Sequence, residues 1–245
     1  MEAYIHSIEP DGDSLVVMFS GCDYKCRYCN TPGLLEFKTG EVLDVKEAKR
    51  LITESGCSKV LFTGGEPLLQ RAALLELASH AKAKRKRVII DTNASKPEAI
   101  ASLLDAKAVD ELLVDIKAPA ASFSAVTKAG TFFKSAEELY REFLETVSLL
   151  KAREEEVVIT FLTLITPGLV YKKEDVLALA DLLDGFDAEW HLVPFNPAVT
   201  LDSGLRGVAP PTTKFLENLA SFIRKEYPNA RVRVAEPRQP GKAPS

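Results

Sequence analysis

The chain has 245 residues, of which 46% are hydrophobic and 27% charged, with a formal net charge of -4. That length and composition suit one large domain, or two small ones, with a full core. The balance argues against a general affinity for nucleic acid or an anionic membrane. No apolar run approaches the ~20 residues of a membrane span. The opening MEAYIHSIEPDGDS has no apolar segment of the secretory kind. The expectation is a cytoplasmic protein.

In chain order, SLVVMFS (14–20) is the first buried-type strand and runs into GCDYKCRYCN. A helix is expected at 45–55 with Asp44 as its N-cap. Next come a strand KVLFT (59–63) ending in GGEP, a helix at 68–84, and a strand RVIID (87–91) ending in DTN. A helix at 96–106 leads to the strand ELLVDIK (111–117). The stretch 117–138 is a long connection placed to fold over a site, followed by a helix at 135–152. The strand VVITFLTLI (157–165) closes on TPG; a helix at 173–184, the strand AEWHLVPF (188–195) and a helix at 211–226 complete the pattern.

Six apolar strands alternating with helices predict parallel βαβ units with right-handed crossovers. The expected fold is α/β: a partial (β/α)6 TIM-like barrel of parallel strands in a single domain over 1–235, with a doubly wound sheet as the alternative. The tail EPRQPGKAPS (236–245), rich in proline, reads as disordered.

The unusual residues fall where strands end, the edge at which parallel β/α folds place their chemistry. Cys22, Cys26 and Cys29 follow the first strand, and Gly64, Gly65 and Glu66 the second. Asp91, Thr92 and Asn93 follow the third, Asp115 and Lys117 end the fourth, and Asn196 follows the sixth. Glycines there let backbone approach a ligand closely, and a glutamate can bind an ammonium group.

Three clustered cysteines in such a chain point to metal or redox chemistry. A zinc site wants a fourth ligand, and the histidines, His6, His80 and His191, are remote in sequence. Three thiolates can instead hold three corners of a [4Fe–4S] cube and leave its fourth iron open. Ordinary loop cysteines are the third possibility. Cys57 reads as a buried thiol, Trp190 as core packing, and the basic run 82–87 as a solvated helix end more than an RNA patch.

C-x3-C-x2-C with Tyr28 before the last cysteine resembles the signature of the radical S-adenosylmethionine (SAM) superfamily. TGGEPLLQ (63–70) is similar to that superfamily's GGE motif. IIDTNA, LLVDIKAP, TPGL and HLVPFNP together resemble the pyruvate formate-lyase activating enzyme branch, which activates glycyl-radical enzymes. The resemblance covers about residues 3–230. It implies that Cys22, Cys26 and Cys29 ligate a [4Fe–4S] cluster. It implies that Glu66 with Gly64 and Gly65 holds the amino group of SAM, that Asp91, Asn93, Asp115, Lys117 and Asn196 contact SAM, and that Asp91 and Asp115 help hold a monovalent cation. The implied activity is an anaerobic oxidoreductase that cleaves SAM to a 5′-deoxyadenosyl radical and abstracts hydrogen. The substrate would be a glycyl-radical enzyme, and the reducing partner a protein such as flavodoxin or ferredoxin. Two departures weaken the tie to pyruvate formate-lyase activase itself. Asn196 stands where that enzyme has histidine, and the fifth strand lacks an arginine. The departure at Asn196 and the basic run 82–87 favour, as the alternative, radical SAM modification of a small molecule or a tRNA base.

Overall fold

The computed structural model describes residues 1–39, 41–130 and 134–237. A hairpin that the sequence reading did not foresee begins it. β1 (Glu2–Asp11) and β2 (Ser14–Phe19) pair antiparallel, turning through Gly12 at φ +57°. β3 (Glu41–Asp44) adds to the far side of β1, also antiparallel. Only Ala3 and Ile5 of β1 are buried, so the strand lacks the continuous apolar run of its neighbours.

The remaining strands are β4 (Lys59–Gly64), β5 (Arg87–Thr92), β6 (Glu111–Asp115), β7 (Val158–Ile165), β8 (Glu189–Pro194) and β9 (Arg231–Val234). From β2 onward every neighbouring pair is parallel, and the sheet order is β3-β1-β2-β4-β5-β6-β7-β8-β9. A doubly wound sheet would reverse its strand order at a switch point. This order advances one way only, so right-handed crossovers put every helix on one face and the sheet curls.

Those helices are α1 (Val45–Glu54), α2 (Arg71–Ala83), α3 (Pro97–Asp105), α4 (Ala120–Thr127), α5 (Ala136–Ala152), α6 (Lys173–Leu183) and α7 (Thr213–Glu226). Asp44 caps α1 as expected, its carboxylate accepting from the Lys46 amide at 3.0 Å. α4 lies within the 117–138 connection, whose residues 131–133 are outside the described residues. So is the tail expected to be disordered, from residue 238 on.

The core divides by strand face. Outward residues such as Val17, Phe62, Ile90, Val114, Phe161 and Leu192 pack with the helices. Inward ones, Val16, Leu61, Leu113, Leu162 and Val193, form a separate small cluster that contains no helical residue. Trp190 is core packing, and its indole N–H donates to Thr163 Oγ1 at 2.9 Å. No helix among the described residues is long and apolar enough to cross a membrane.

Candidate active site

Side chains two apart on a strand share a face. Two positions beyond the inner apolar layer therefore stand Met18, Thr63, Asp91, Asp115 and Leu164. All five line a cleft, open to solvent, at the C-terminal edge of the sheet. Cys22, Cys26 and Cys29 line it too, as do Gly64, Gly65, Asn93, Lys117 and Asn196. The fold thus gathers the expected site residues on one cavity, with a single exception.

The cysteine loop crosses this mouth and is tied down along its length. The Gly21 and Cys22 amides donate to the Leu34 and Leu35 carbonyls. The Lys25 and Arg27 amides donate to Thr127 and Val126 at the C-terminal end of α4. The Cys29 carbonyl accepts from the Leu201 amide at 3.1 Å, and Arg27 pairs with Asp202 at 2.7 Å. The Tyr28 hydroxyl donates to the Lys117 carbonyl at 3.2 Å. None of the cysteines is in a disulfide. Burial pushes the Cys26 thiol up to about 12. Burial, with help from Asp23, Cys26 and Glu66, also pushes Cys22 well above its ordinary value. Such thiols ionise only against a cationic group. No histidine lines the cleft: His80 contacts Thr53, and His191 contacts Glu189. Among the described residues no three His, Cys, Asp or Glu side chains converge on one ion. Three thiols on one cleft without a histidine beside them have the donor chemistry of a three-cysteine [4Fe–4S] site rather than of a four-ligand zinc site.

The two glycines are required for a reason beyond ligand approach. A Cβ on Gly64, which has φ +122°, would lie 2.2 Å from the Phe19 carbonyl oxygen. One on Gly65 would lie 2.2 Å from the Gly21 carbonyl oxygen. The GG turn is pressed against the base of the cysteine loop, where the Gly65 and Glu66 amides donate to Phe19 and Gly21.

Glu66 is the exception. Its side chain, 0% exposed, turns away from the cleft into the protein. One oxygen accepts from the Leu68 amide (3.0 Å) and the Thr92 hydroxyl (2.6 Å), the other from the Asn93 amide (2.7 Å). It caps the 3-10 turn Pro67–Gln70 and fastens it to the end of β5. The glutamate expected to meet a ligand braces the loops that line the cleft. An acidic residue before proline at N1 is an N-terminal capping signal present in the sequence.

Burial, then the nearby Asp23 carboxylate, pushes Glu66 up to about 8 from an ordinary 4.5. Between those values the folded protein holds a proton that the unfolded chain has released. Stability therefore falls as pH rises through this window, by up to about 1.4 kcal/mol per pH unit. Urea denaturation of the cluster-free protein from pH 5 to pH 8 should show the decline. Glu66→Gln should flatten it, at a fixed cost for turning an amide donor toward the Asn93 N–H. A wild-type profile flat across this range would refute the assignment.

Asp91 accepts from Thr63 Oγ1 at 2.8 Å. Asp115 and Lys117 form an ion pair at 2.6 Å. Burial works to lower Lys117, but Asp115, Tyr28 and Cys26 together outweigh it and hold the ammonium charged. Asn196 Oδ1 accepts from the Ala198 amide at 3.0 Å, a local turn. Asn93 Oδ1 accepts from Ser95, while its Nδ2 donates to Asp23 Oδ1 at 3.0 Å and approaches Cys22 Sγ at 4.0 Å. Asp23 also pairs with Lys96 at 2.7 Å. Neither Asp23 nor Lys96 stood out in the sequence. The position of Asp23 inside the cysteine motif was the available signal.

Other residues stay outside. Cys57 is half-buried and away from the cleft. In the basic run, Lys82 bonds Asp110, Lys86 bonds the Ser55 and Cys57 carbonyls, and Arg87 bonds Glu111.

A curled, mostly parallel α/β sheet with three free cysteines on its first C-terminal loop defines a class, and the comparisons agree with it. The radical SAM superfamily profile matches residues 16–183. The chain belongs to the radical SAM superfamily and is an enzyme of it; the family's cofactors are a [4Fe–4S] cluster and SAM. A candidate glycyl-radical enzyme activating enzyme of Methanocaldococcus jannaschii is 29% identical over 226 residues, covering 92% of this chain and 90% of that one. A pyruvate formate-lyase-activating enzyme of Clostridium pasteurianum is 28% identical, over 73% of this chain and 75% of its own. A 7-carboxy-7-deazaguanine synthase of Clostridium acetobutylicum is 32% identical over 49% of this chain and 53% of its own. Among solved structures, a radical SAM methyltransferase from Sphaerobacter thermophilus shares the fold. Its TM-score is 0.61 at 17% identity, over 95% of this chain and 69% of that one.

Proposed function

We propose that this chain is an activating enzyme that takes a hydrogen atom from a glycine in the backbone of a partner protein. Cys22, Cys26 and Cys29 are its cluster ligands. The observation that carries the reading is the gathering of these three unpaired thiols on one cleft with Gly64, Gly65, Asp91, Asn93, Asp115, Lys117 and Asn196. Likeness to a candidate activase over nine-tenths of both chains supports the branch.

When bound and reduced, the cluster supplies the single electron that cleaves the SAM sulfonium to methionine and a 5′-deoxyadenosyl radical. The chain's own residues bind and shield. Lys117, fixed by Asp115, keeps N–H donors for a carboxylate. Gly64 and Gly65 bring backbone to the cleft wall, braced from behind by Glu66. Met18, Tyr24, Tyr28, Leu164 and Val193 give the cleft an apolar lining, and a substrate docked over its mouth would keep water from a reactive intermediate. Asp115 already has Lys117 as counter-ion, so the monovalent cation expected beside it and Asp91 is not part of the proposal.

A protein substrate is favoured by the loops that hold the cysteine loop. Phe37, Val199 and Leu201 are 41%, 45% and 38% exposed, on segments bound to its two ends. Exposed apolar side chains on such loops suit a docked polypeptide. The electron donor in this reading is a protein such as flavodoxin or ferredoxin. The second reading, modification of a small molecule or tRNA base, is favoured by the deazaguanine synthase likeness over half the chain.

The test is anaerobic. The reconstituted protein is reduced with dithionite, given SAM, and mixed either with a candidate glycyl-radical protein or with a low-molecular-mass cell fraction. The expected result is 5′-deoxyadenosine together with an organic radical signal on the partner polypeptide. Product that rises only with the small-molecule fraction would replace the first reading by the second.

A further inference from the structure

We propose that Lys96 and Asn93 set the charge that Asp23 presents beside Cys22, and so tune the reduction potential of the cluster. This rests on the three-cysteine reading above and goes beyond it to Asp23 and Lys96, neither of which lines the cleft, and to a second role for Asn93, which does. Asp23 follows Cys22 directly and its side chain is 8% exposed. Its two oxygens are divided between two partners on one turn: Asn93 Nδ2 at 3.0 Å and Lys96 Nζ at 2.7 Å. Asn93 Nδ2 also reaches Cys22 Sγ at 4.0 Å. The carboxylate oxygen and the sulfur are therefore no further apart than the sum of 3.0 and 4.0 Å. Lys96 also donates to the Ser95 carbonyl at 3.1 Å and pairs with Glu142 at 3.6 Å, and Glu142 in turn pairs with Lys134.

Cluster potentials depend on net charge and on hydrogen bonds to the sulfurs. Reduction adds negative charge to the cluster, so a bare carboxylate within about 7 Å opposes it. At an effective dielectric of about 20 one unit charge at that range exceeds a factor of ten. Lys96 cancels the charge of Asp23, and Asn93 fixes the carboxylate while offering an N–H to the sulfur. Both partners come from the turn after β5, so the same turn that lines the cleft also sets the charge at the first cysteine. Lys96 and Asn93 are positioning residues here, acting through Asp23 and Cys22.

The experiment is a potentiometric titration of the reconstituted protein, followed by the electron paramagnetic resonance signal of the reduced cluster. It compares wild type with Lys96→Met, Asp23→Asn and the double variant, each checked for iron and sulfide content. Lys96→Met should lower the midpoint by about 59 mV, the one-electron equivalent of a tenfold change. Asp23→Asn, nearly isosteric, should raise it by a similar amount, and the double variant should return close to wild type. Opposite signs that cancel are not what a merely structural defect produces. Single variants that carry a full cluster at the wild-type midpoint, or that shift in the same direction, overturn the inference. If Lys96→Met assembles no cluster, the direction of Asp23→Asn decides alone. A wild type that binds no cluster fails the earlier reading instead, so the two failures are distinguishable.

Discussion

Cys26→Ala, reconstituted anaerobically beside wild type, should bind no intact cluster and form 5′-deoxyadenosine only at background. Cys57→Ala should match wild type in both. The contrast follows from position. Cys26 sits at the centre of the cysteine loop, held by the α4 carbonyls on one side and by its own carbonyl bond to the Cys29 amide at 2.9 Å on the other. Its thiol is buried and hard to ionise alone. It gains a reason to ionise only when iron is present, and with it removed two corners of the cube lack the third that would fix it. Cys57 lies at the opposite end of β4, before Lys59, away from the cleft. Iron and sulfide analysis with chromatographic assay of the nucleoside checks both variants. A Cys26→Ala protein with wild-type iron and sulfide would remove the cysteine loop from the site.

How much of this was legible depends on what each segment's pattern could mean. The six central strands are buried on both faces, by helices outside and by the inner layer within. They read as runs such as Leu15-Val16-Val17 and Val60-Leu61-Phe62 that have few other uses. β1, β3 and β9 lie on or next to the sheet margins and leave half or more of their residues exposed, so their apolar signal is thin. α4 was hidden inside a long connection, yet its last carbonyls hold the cysteine loop. The choice between barrel and doubly wound sheet was not in the periodicity, since both use the same βαβ units. It is settled by strand order, a long-range property.

Within the site, sequence located residues better than roles. Strand-end placement put Asp91, Asp115 and Lys117 on the cleft because two-residue spacing from Ile89 and Leu113 leaves no other face. It could not say which way Glu66 turns, since a glutamate after Gly-Gly can reach a ligand or cap the next turn. The buried amides of Leu68 and Asn93 decide the matter by needing an acceptor. Asp23 and Lys96 are 73 residues apart, a pairing that only the folded chain brings together.

Gly65→Ala should be strongly damaging for a change of a single methyl group. The added Cβ would sit 2.2 Å from the Gly21 carbonyl oxygen, 2.8 Å from its carbon and 2.9 Å from the Leu34 carbonyl oxygen. All of these are backbone atoms, so no rotamer change relieves the contact. Gly21 accepts from the Glu66 amide and donates to Leu34, so pushing it away breaks the bonds that seat the start of the cysteine loop. Overpacking of this kind costs up to about 3 kcal/mol, before the lost hydrogen bonds are added. A loss of that size lowers the melting temperature by roughly 6–12 °C in a chain this long. Gly33→Ala is the matched control: it lies in the same region, with nothing within 4 Å of its added carbon. It should change stability by less than about 0.5 kcal/mol. Differential scanning calorimetry of the two cluster-free variants, followed by iron uptake, separates the outcomes. Gly65→Ala should melt early and take up less iron, while Gly33→Ala does neither. Equal melting temperatures would mean that the GG turn yields easily, and that its glycines serve the ligand alone.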